Sequence, residues 1–314
     1  MKCASFFAGV GGIDLGFQQA GFEIIYANEI DKFAVETFRA NHNIFMDHRS
    51  ILDVPANEIP DFDVMLAGFP CQAFSIAGYR KGFEDKGRGD LFFELERIFI
   101  EKQPSIIFLE NVKNLVSHDN GRTFAIIKDS LIKNGYHIKY QVMNAAEYGN
   151  IPQNRERIYI VCFKDKALSD KFDFPEKIKL TKTIEDMLEN EENIEPKYFY
   201  TNKTPFFNSL VESIKDAKTL YQWRRQYVRE NKNNLCPTLT ANMGTGGHNV
   251  PLLNVQGLPS TIRKLTPREC FNFQGYPKDF VLPKISNANL YKQAGNSVVV
   301  PVIRRIAESI KSIL

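Results

Sequence analysis

Cysteine is scarce and unpaired in this sequence. The 314 residues hold five thiols, Cys3, Cys71, Cys162, Cys236 and Cys270, an odd number of widely separated positions. With no two of them at C-x₂-C or similar spacing, the pattern argues against both a disulfide framework and structural zinc, so any cysteine chemistry is expected to belong to a single thiol. Long apolar runs are missing as well: nothing approaches the roughly 18 residues of a membrane span. The opening MKCASFFAGVGG has no apolar stretch followed by a cleavage signal, and a cytoplasmic protein is the expectation. Excess charge is absent: 40 Lys and Arg face 37 Asp and Glu, a formal +3, which neither demands nor excludes a polyanionic partner.

What is present suffices for a core. Hydrophobic residues make up 43% of the chain and aromatics 12%, at a mean hydropathy of −0.29, which reads as a globular protein of one large or two modest domains. Charge is uneven along it. From Tyr200 to Leu235 four Lys and three Arg outnumber two Glu and one Asp, interleaved with Phe206, Phe207, Tyr221, Trp223 and Tyr227. That segment is either a solvated face or a nucleic-acid contact. The acidic run upstream, Glu185 to Glu195, reads as a solvated face.

Up to about residue 165 short apolar runs alternate with helical ones. Strands are expected at Cys3–Phe7, Ile24–Ala27, Val64–Ala67, Ile106–Leu109, Ile138–Met143 and Ile158–Phe163, and helices at Ile13–Ala20, Phe33–Ala40, Leu91–Glu101 and Thr123–Lys133. Nearly all-apolar strands between helices predict a doubly wound α/β domain with a parallel sheet. Beyond about residue 170 Pro, Asn, Thr and Gly interrupt the pattern, as expected of a second, irregular domain with short strands. An apolar pattern returns near the end, so the chain is expected to finish in its first domain. The boundaries read as 1–175, 176–267 and 268–314.

Three expected strand ends carry chemistry. The first turn, Phe7-Ala8-Gly9-Val10-Gly11-Gly12, lies between a strand and a helix, where glycines admit a ligand to the backbone and the helix start offers free N–H groups. Glu29, twenty residues beyond Gly9, ends the next strand, where a carboxylate can bond both hydroxyls of a ribose. Asp14 stands where a dinucleotide fingerprint needs its third glycine. A carboxylate there opposes a pyrophosphate and suits the amino group of a methionine moiety, which favours S-adenosylmethionine over NAD, although a plain tight turn uses the same glycines. Gly68-Phe69-Pro70-Cys71-Gln72 and Glu110-Asn111-Val112 follow two further strands. A thiol beside a carboxyl group suits an electron-poor ring, the thiolate adding to it while the acid bonds a ring nitrogen.

With these motifs the chain resembles the cytosine-C5 DNA methyltransferases of prokaryotic restriction-modification systems over nearly its whole length. Gly68–Gln72 matches the nucleophile motif and Glu110–Val112 the acid motif. Gln153-Asn-Arg155-Glu-Arg157 matches Q-x-R-x-R, and Gln293-Ala-Gly295-Asn296-Ser297-Val298 a late motif that folds back to the cofactor pocket. The resemblance implies a Rossmann-like S-adenosylmethionine-dependent methyltransferase domain and a smaller, mostly β target-recognition domain. It implies methyl transfer to C5 of a cytosine flipped out of duplex DNA. Cys71 then attacks C6, Glu110 contacts N3 and the exocyclic amine, and Arg155 and Arg157 hold the base and its sugar-phosphate. For S-adenosylmethionine, which leaves as S-adenosylhomocysteine, it implies Phe7, Gly9, Gly11, Gly12, Glu29, Ile30, Pro70, Leu91, Asn296 and Ser297. Where the family has an Asp for the adenine amino group this chain has Ser50, then Ile51.

For DNA the resemblance implies Gln72, a glycine-rich closing loop with Arg80, Lys81 and Arg88, and a recognition region with Arg224, Arg225, Arg229, Lys232 and Thr238. Trp223 is equally suited to the core. A monomer is expected, with a restriction endonuclease acting on the same site without contact. Other readings stay open: the tRNA-methylating branch, whose Cys-Phe-Thr tripeptide is absent here, and a non-catalytic DNA-binding relative.

Overall fold

A computed structural model describes residues 1–70, 91–245, 249–256 and 259–314. Cys71, Gln72, Arg80, Lys81 and Arg88 lie outside the described residues. Residues 1–143, 156–175 and 303–314 form one unit, and 144–155 and 176–302 a second.

The first unit is built on strands β1 (Lys2–Phe6), β2 (Glu23–Asn28), β3 (Met46–Asp47), β4 (Val64–Ala67), β5 (Ile106–Val112), β6 (His137–Asn144) and β8 (Glu156–Phe163), in the order β3-β2-β1-β4-β5-β8-β6. The four residues of β4 are all buried, as an apolar run sandwiched between helices must be. Chain direction reverses between β5 and β8: β1 to β5 pair in parallel, but β8 runs antiparallel to β5. The parallel sheet expected from the sequence is present in β1 to β5; the reversal at β8 has no signal there, because an apolar run carries no sign of direction. At the edge β6 is mostly half-exposed, where nearly all-apolar burial was expected.

Among the helices described in this unit are α1 (Gly12–Gln19), α2 (Lys32–Asn41), α3 (Leu91–Lys102) and α4 (Arg122–Lys133). Asp31 starts α2 by accepting from the Phe33 and Ala34 amides at 3.0 and 3.3 Å. In α3, Phe92, Leu95 and Phe99 recur at helical spacing, and in α4 so do Phe124, Ile127 and Leu131; all join the main apolar cluster with Met65, Ile107 and Ile160. Residues 303–314 return to this unit, and Gly16 of α1 meets them so closely that an added Cβ would lie 2.5 Å from the Ile303 side chain.

The second unit has a sheet in the order β10-β9-β12-β13, from Val228–Glu230, Tyr221–Trp223, Leu252–Asn254 and Ile262–Lys264. A parallel pair joins β7 (Gln153–Asn154) to β11 (Cys236–Pro237). Its core is Leu210, Ile214, Tyr221, Trp223, Leu252 and Ile262, with Phe206 stacked on Trp223 at 4.6 Å. Trp223 is therefore a core residue. Arg263, fully buried, is answered by Glu269 at 2.8 Å and by Glu191, as a charge removed from water requires.

Candidate active site

In register, Phe6 of β1 pairs with Ala67 of β4, and Ala67 with Leu109 of β5. The residues that follow, Phe7–Gly9, Gly68–Pro70 and Glu110, therefore emerge at one sheet edge. That edge, at the carboxyl ends of parallel strands beside the switch in strand order, is where open α/β sheets bind ligands.

The glycine turn works through two different glycines. Gly9 (φ +57°) has no described atom within 4 Å of where a Cβ would sit, so it faces open space. Gly11 (φ +85°) is instead packed inward, where a Cβ would fall 2.2 Å from His42 Nε2. His42 is 6% exposed, contacts Gln18 Oε1 through Nδ1 at 3.2 Å, and is held neutral by burial, its pKa lowered to about 4. A lone histidine in α2's wake carried no sequence signal for this role.

Glu29 closes the turn. Its carboxylate accepts from the Gly9 amide and the Asp31 amide, both at 2.8 Å, so one residue ties the end of β2 to the turn after β1. Beside it Ile30 is 63% exposed, an apolar side chain presented at a polar edge. Ser50 caps the short turn Ile51–Asp53 by accepting from the Leu52 amide at 3.3 Å, while Ile51 is buried in the main cluster. Pro70 is exposed and Leu91 half-buried.

Asp14 corrects a sequence expectation. It is fully buried and accepts from the Ser5 hydroxyl at 3.0 Å, so it does not face a ligand's amino group. Burial pushes its pKa up to about 7.

Glu110 is 8% exposed, with Oε2 3.6 Å from the position of a Cβ on Gly68. The antiparallel β8 sets Tyr159 opposite Glu110 and Arg157 opposite Val112, which makes Arg157 the diagonal neighbour of Glu110. Arg157 Nε accordingly lies 3.2 Å from Glu110 Oε1. Asn111, next in the motif, donates from Nδ2 to the Phe69 carbonyl at 2.9 Å and so holds the chain just before Pro70.

The two arginines of Q-x-R-x-R part company. Arg155 belongs to the second unit, is 3% exposed, and donates to the carbonyls of Leu239 at 2.7 Å, Gly295 at 3.2 Å and Ser297. It braces backbone. Gln153, fully buried, donates to the Phe273 carbonyl at 2.6 Å and accepts from the Leu239 amide at 3.2 Å. Thr238 donates to the Asn154 carbonyl at 2.6 Å. In the late motif Asn296 is exposed, and the Ser297 hydroxyl meets that of Tyr276 at 2.5 Å. Arg224 and Arg225 are exposed at the turn between β9 and β10.

Comparison with known proteins agrees with this arrangement. Residues 1–312 match the family model described as C-5 cytosine-specific DNA methylase. The chain is 59% identical over 317 residues to the type II methyltransferase M.Bsp6I of Bacillus sp. (strain RFL6), covering 100% of both chains. It is 41% identical over 323 residues to M.SsoII of Shigella sonnei, covering 98% of this chain and 79% of that one. The fold is shared with S. pombe Dnmt2 at a TM-score of 0.76 and 19% identity, over 99% and 98% of the two chains. S-adenosylmethionine is the methyl donor in this family. The open face of Gly9, the fixed carboxylate of Glu29 and the exposed Ile30 fit that molecule. The chain belongs to the C-5 cytosine-specific DNA methylases and is a DNA cytosine-C5 methyltransferase.

Proposed function

We propose that the enzyme methylates one cytosine within a specific duplex sequence, on a base turned out of the helix and bonded for a time to the Cys71 sulfur. The single observation that carries the reading is the Glu110–Arg157 pair at 3.2 Å, beside the strand end that leads to Cys71. Phe7, Gly9, Gly11, Gly12, Glu29, Ile30, Ser50 and Leu91 of the first unit would hold S-adenosylmethionine. Bound there, it supplies an electrophilic sulfonium methyl.

The Cys71 thiolate adds to C6 and drives ring electrons toward C5, while Glu110 meets N3 and the exocyclic amine and limits the charge that builds there. Arg157 keeps the Glu110 carboxyl aimed at the ring. C5 takes the methyl; loss of its proton and departure of Cys71 restore the aromatic ring. The atoms concerned are unreachable in a stacked duplex, so the base must leave the helix. Gln72, Arg80, Lys81 and Arg88 would close over it, and Arg155 would act through the backbone it braces. The second unit reads the target, with Arg224, Arg225 and Thr238 near the DNA. The protein works as a monomer in the cytoplasm, alongside an endonuclease of the same specificity that it does not touch.

Incubation with S-adenosylmethionine and either duplex DNA or tRNA, followed by bisulfite sequencing, tests this. Protected cytosines at one recurring duplex sequence are expected. Protection in tRNA alone overturns the reading.

A further inference from the structure

The hairpin formed by β9 and β10 has two unlike faces. Tyr221 and Trp223, with Val228 opposite Trp223, turn to the apolar cluster of the second unit. The alternate residues, Gln222 and Arg229, are direct cross-strand partners and share the other face. Both line a cleft of about 420 Å³ together with Asn154, Asn231, Lys232 and Thr238, and among the described residues no Asp or Glu lines it.

Two details mark this cleft as built. Gln222 is 8% exposed, yet its Oε1 has no hydrogen-bond partner among the described residues. A buried acceptor left unmet destabilises the fold, and a bound donor recovers that loss. Arg229 is not a loose surface cation: its guanidinium donates to Asn231 Oδ1 at 3.2 Å, and Asn231, 7% exposed, is itself fixed by donating from Nδ2 to the Leu220 carbonyl at 2.9 Å.

We infer that Gln222 and Arg229 read one G·C base pair of the target in the major groove. The groove admits a two-stranded ribbon. Guanine offers adjacent acceptors, N7 and O6, to the Arg229 fork, and the paired cytosine offers its N4 amine to Gln222 Oε1. An A·T pair gives the fork no such adjacent acceptors and sets a methyl group beside them. The inference rests on the duplex-DNA reading above and assigns a base pair to two residues.

The test compares wild type with Arg229→Met, Gln222→Leu and Asn231→Ala. Each is used to methylate plasmid DNA of mixed sequence, with every modified cytosine mapped by bisulfite sequencing. Thermal melting and S-adenosylmethionine binding serve as controls for folding. Arg229→Met and Gln222→Leu are expected to relax the same single position, a G·C pair in the wild-type motif, and to lower kcat/KM on the wild-type site by about 5- to 140-fold. Asn231→Ala is expected to relax that position partway. A uniform loss of rate with an unchanged motif overturns the inference, since it marks phosphate contact. Relaxation at an A·T position also overturns it. A wild-type enzyme that marks tRNA and leaves duplex DNA unmarked overturns the duplex reading itself, a failure visible before any variant is tried.

Discussion

Arg157 Nε and Glu110 Oε1 stand 3.2 Å apart, with both side chains at most 14% exposed, because β8 runs against β5. An acid so placed is oriented by a cation from the adjacent strand. Glu110→Gln is expected to lower kcat by about 10²- to 10⁴-fold, the range lost with a positioned acid. Binding of S-adenosylmethionine, followed by calorimetry, should change little. Equal loss of cofactor binding would make Glu110 a structural residue of the pocket.

Gly9 and Gly11 should respond differently to the same added methyl. Gly9→Ala meets open space, so its cost to folding is the left-handed backbone alone, about 1–2 kcal/mol. Its cofactor affinity should nonetheless fall more than stability does. Gly11→Ala strikes His42 Nε2 and should lower the melting temperature, and a second change, His42→Ala, should recover part of that loss. Absence of recovery would mean that the contact with His42 is not what constrains Gly11.

Arg155→Met leaves the carbonyls of Leu239, Gly295 and Ser297 without their common donor. Three buried carbonyls left unmet, at about 1–3 kcal/mol each, predict a loss of at least about 3 kcal/mol, read from the urea midpoint. A stable variant that has lost only turnover would place Arg155 at the substrate.

Asp14 gives a pH signature. In the folded protein its carboxyl keeps a proton up to about pH 7, whereas the unfolded chain releases it near the ordinary 3.8. The unfolded state therefore binds fewer protons between these values, and stability falls as pH rises through that window, by up to about 4 kcal/mol. Asp14→Asn removes the ionisation while keeping an acceptor for Ser5. It should be more stable than wild type at pH 8 and lack this contribution to the slope between pH 4 and 7. Identical slopes in urea titrations of the two proteins would contradict the assignment.

The strands of the first unit were legible because burial on both faces leaves an unmistakable apolar run, as in Val64–Ala67 and Ile106–Leu109. The two-residue β3, Met46–Asp47, is too short for any period, and the reversal of β8 leaves no trace in composition. Motif spacing placed Glu29 just after β2 and Glu110 in the last residues of β5, but spacing says nothing about which way a side chain turns. Asp14 turned inward to Ser5, and Arg155 to backbone carbonyls as many as 142 residues away along the chain. The second unit was least legible for the same reason: Gln153 bonds Phe273 across 120 residues, a contact with no local pattern. Gln222 shows the limit within a single hairpin, since only the register with Arg229 reveals that the two share a face.

The central claim concerns the bond between Cys71 and cytosine C6. A duplex carrying the recognition sequence with 5-fluorocytosine at the target should trap it, because the C5 fluorine cannot leave as the proton does. The expected adduct survives denaturing electrophoresis, requires S-adenosylmethionine, and is lost in Cys71→Ala. An adduct that persists in Cys71→Ala, or none from a wild-type enzyme that methylates the unfluorinated duplex, would contradict the claim.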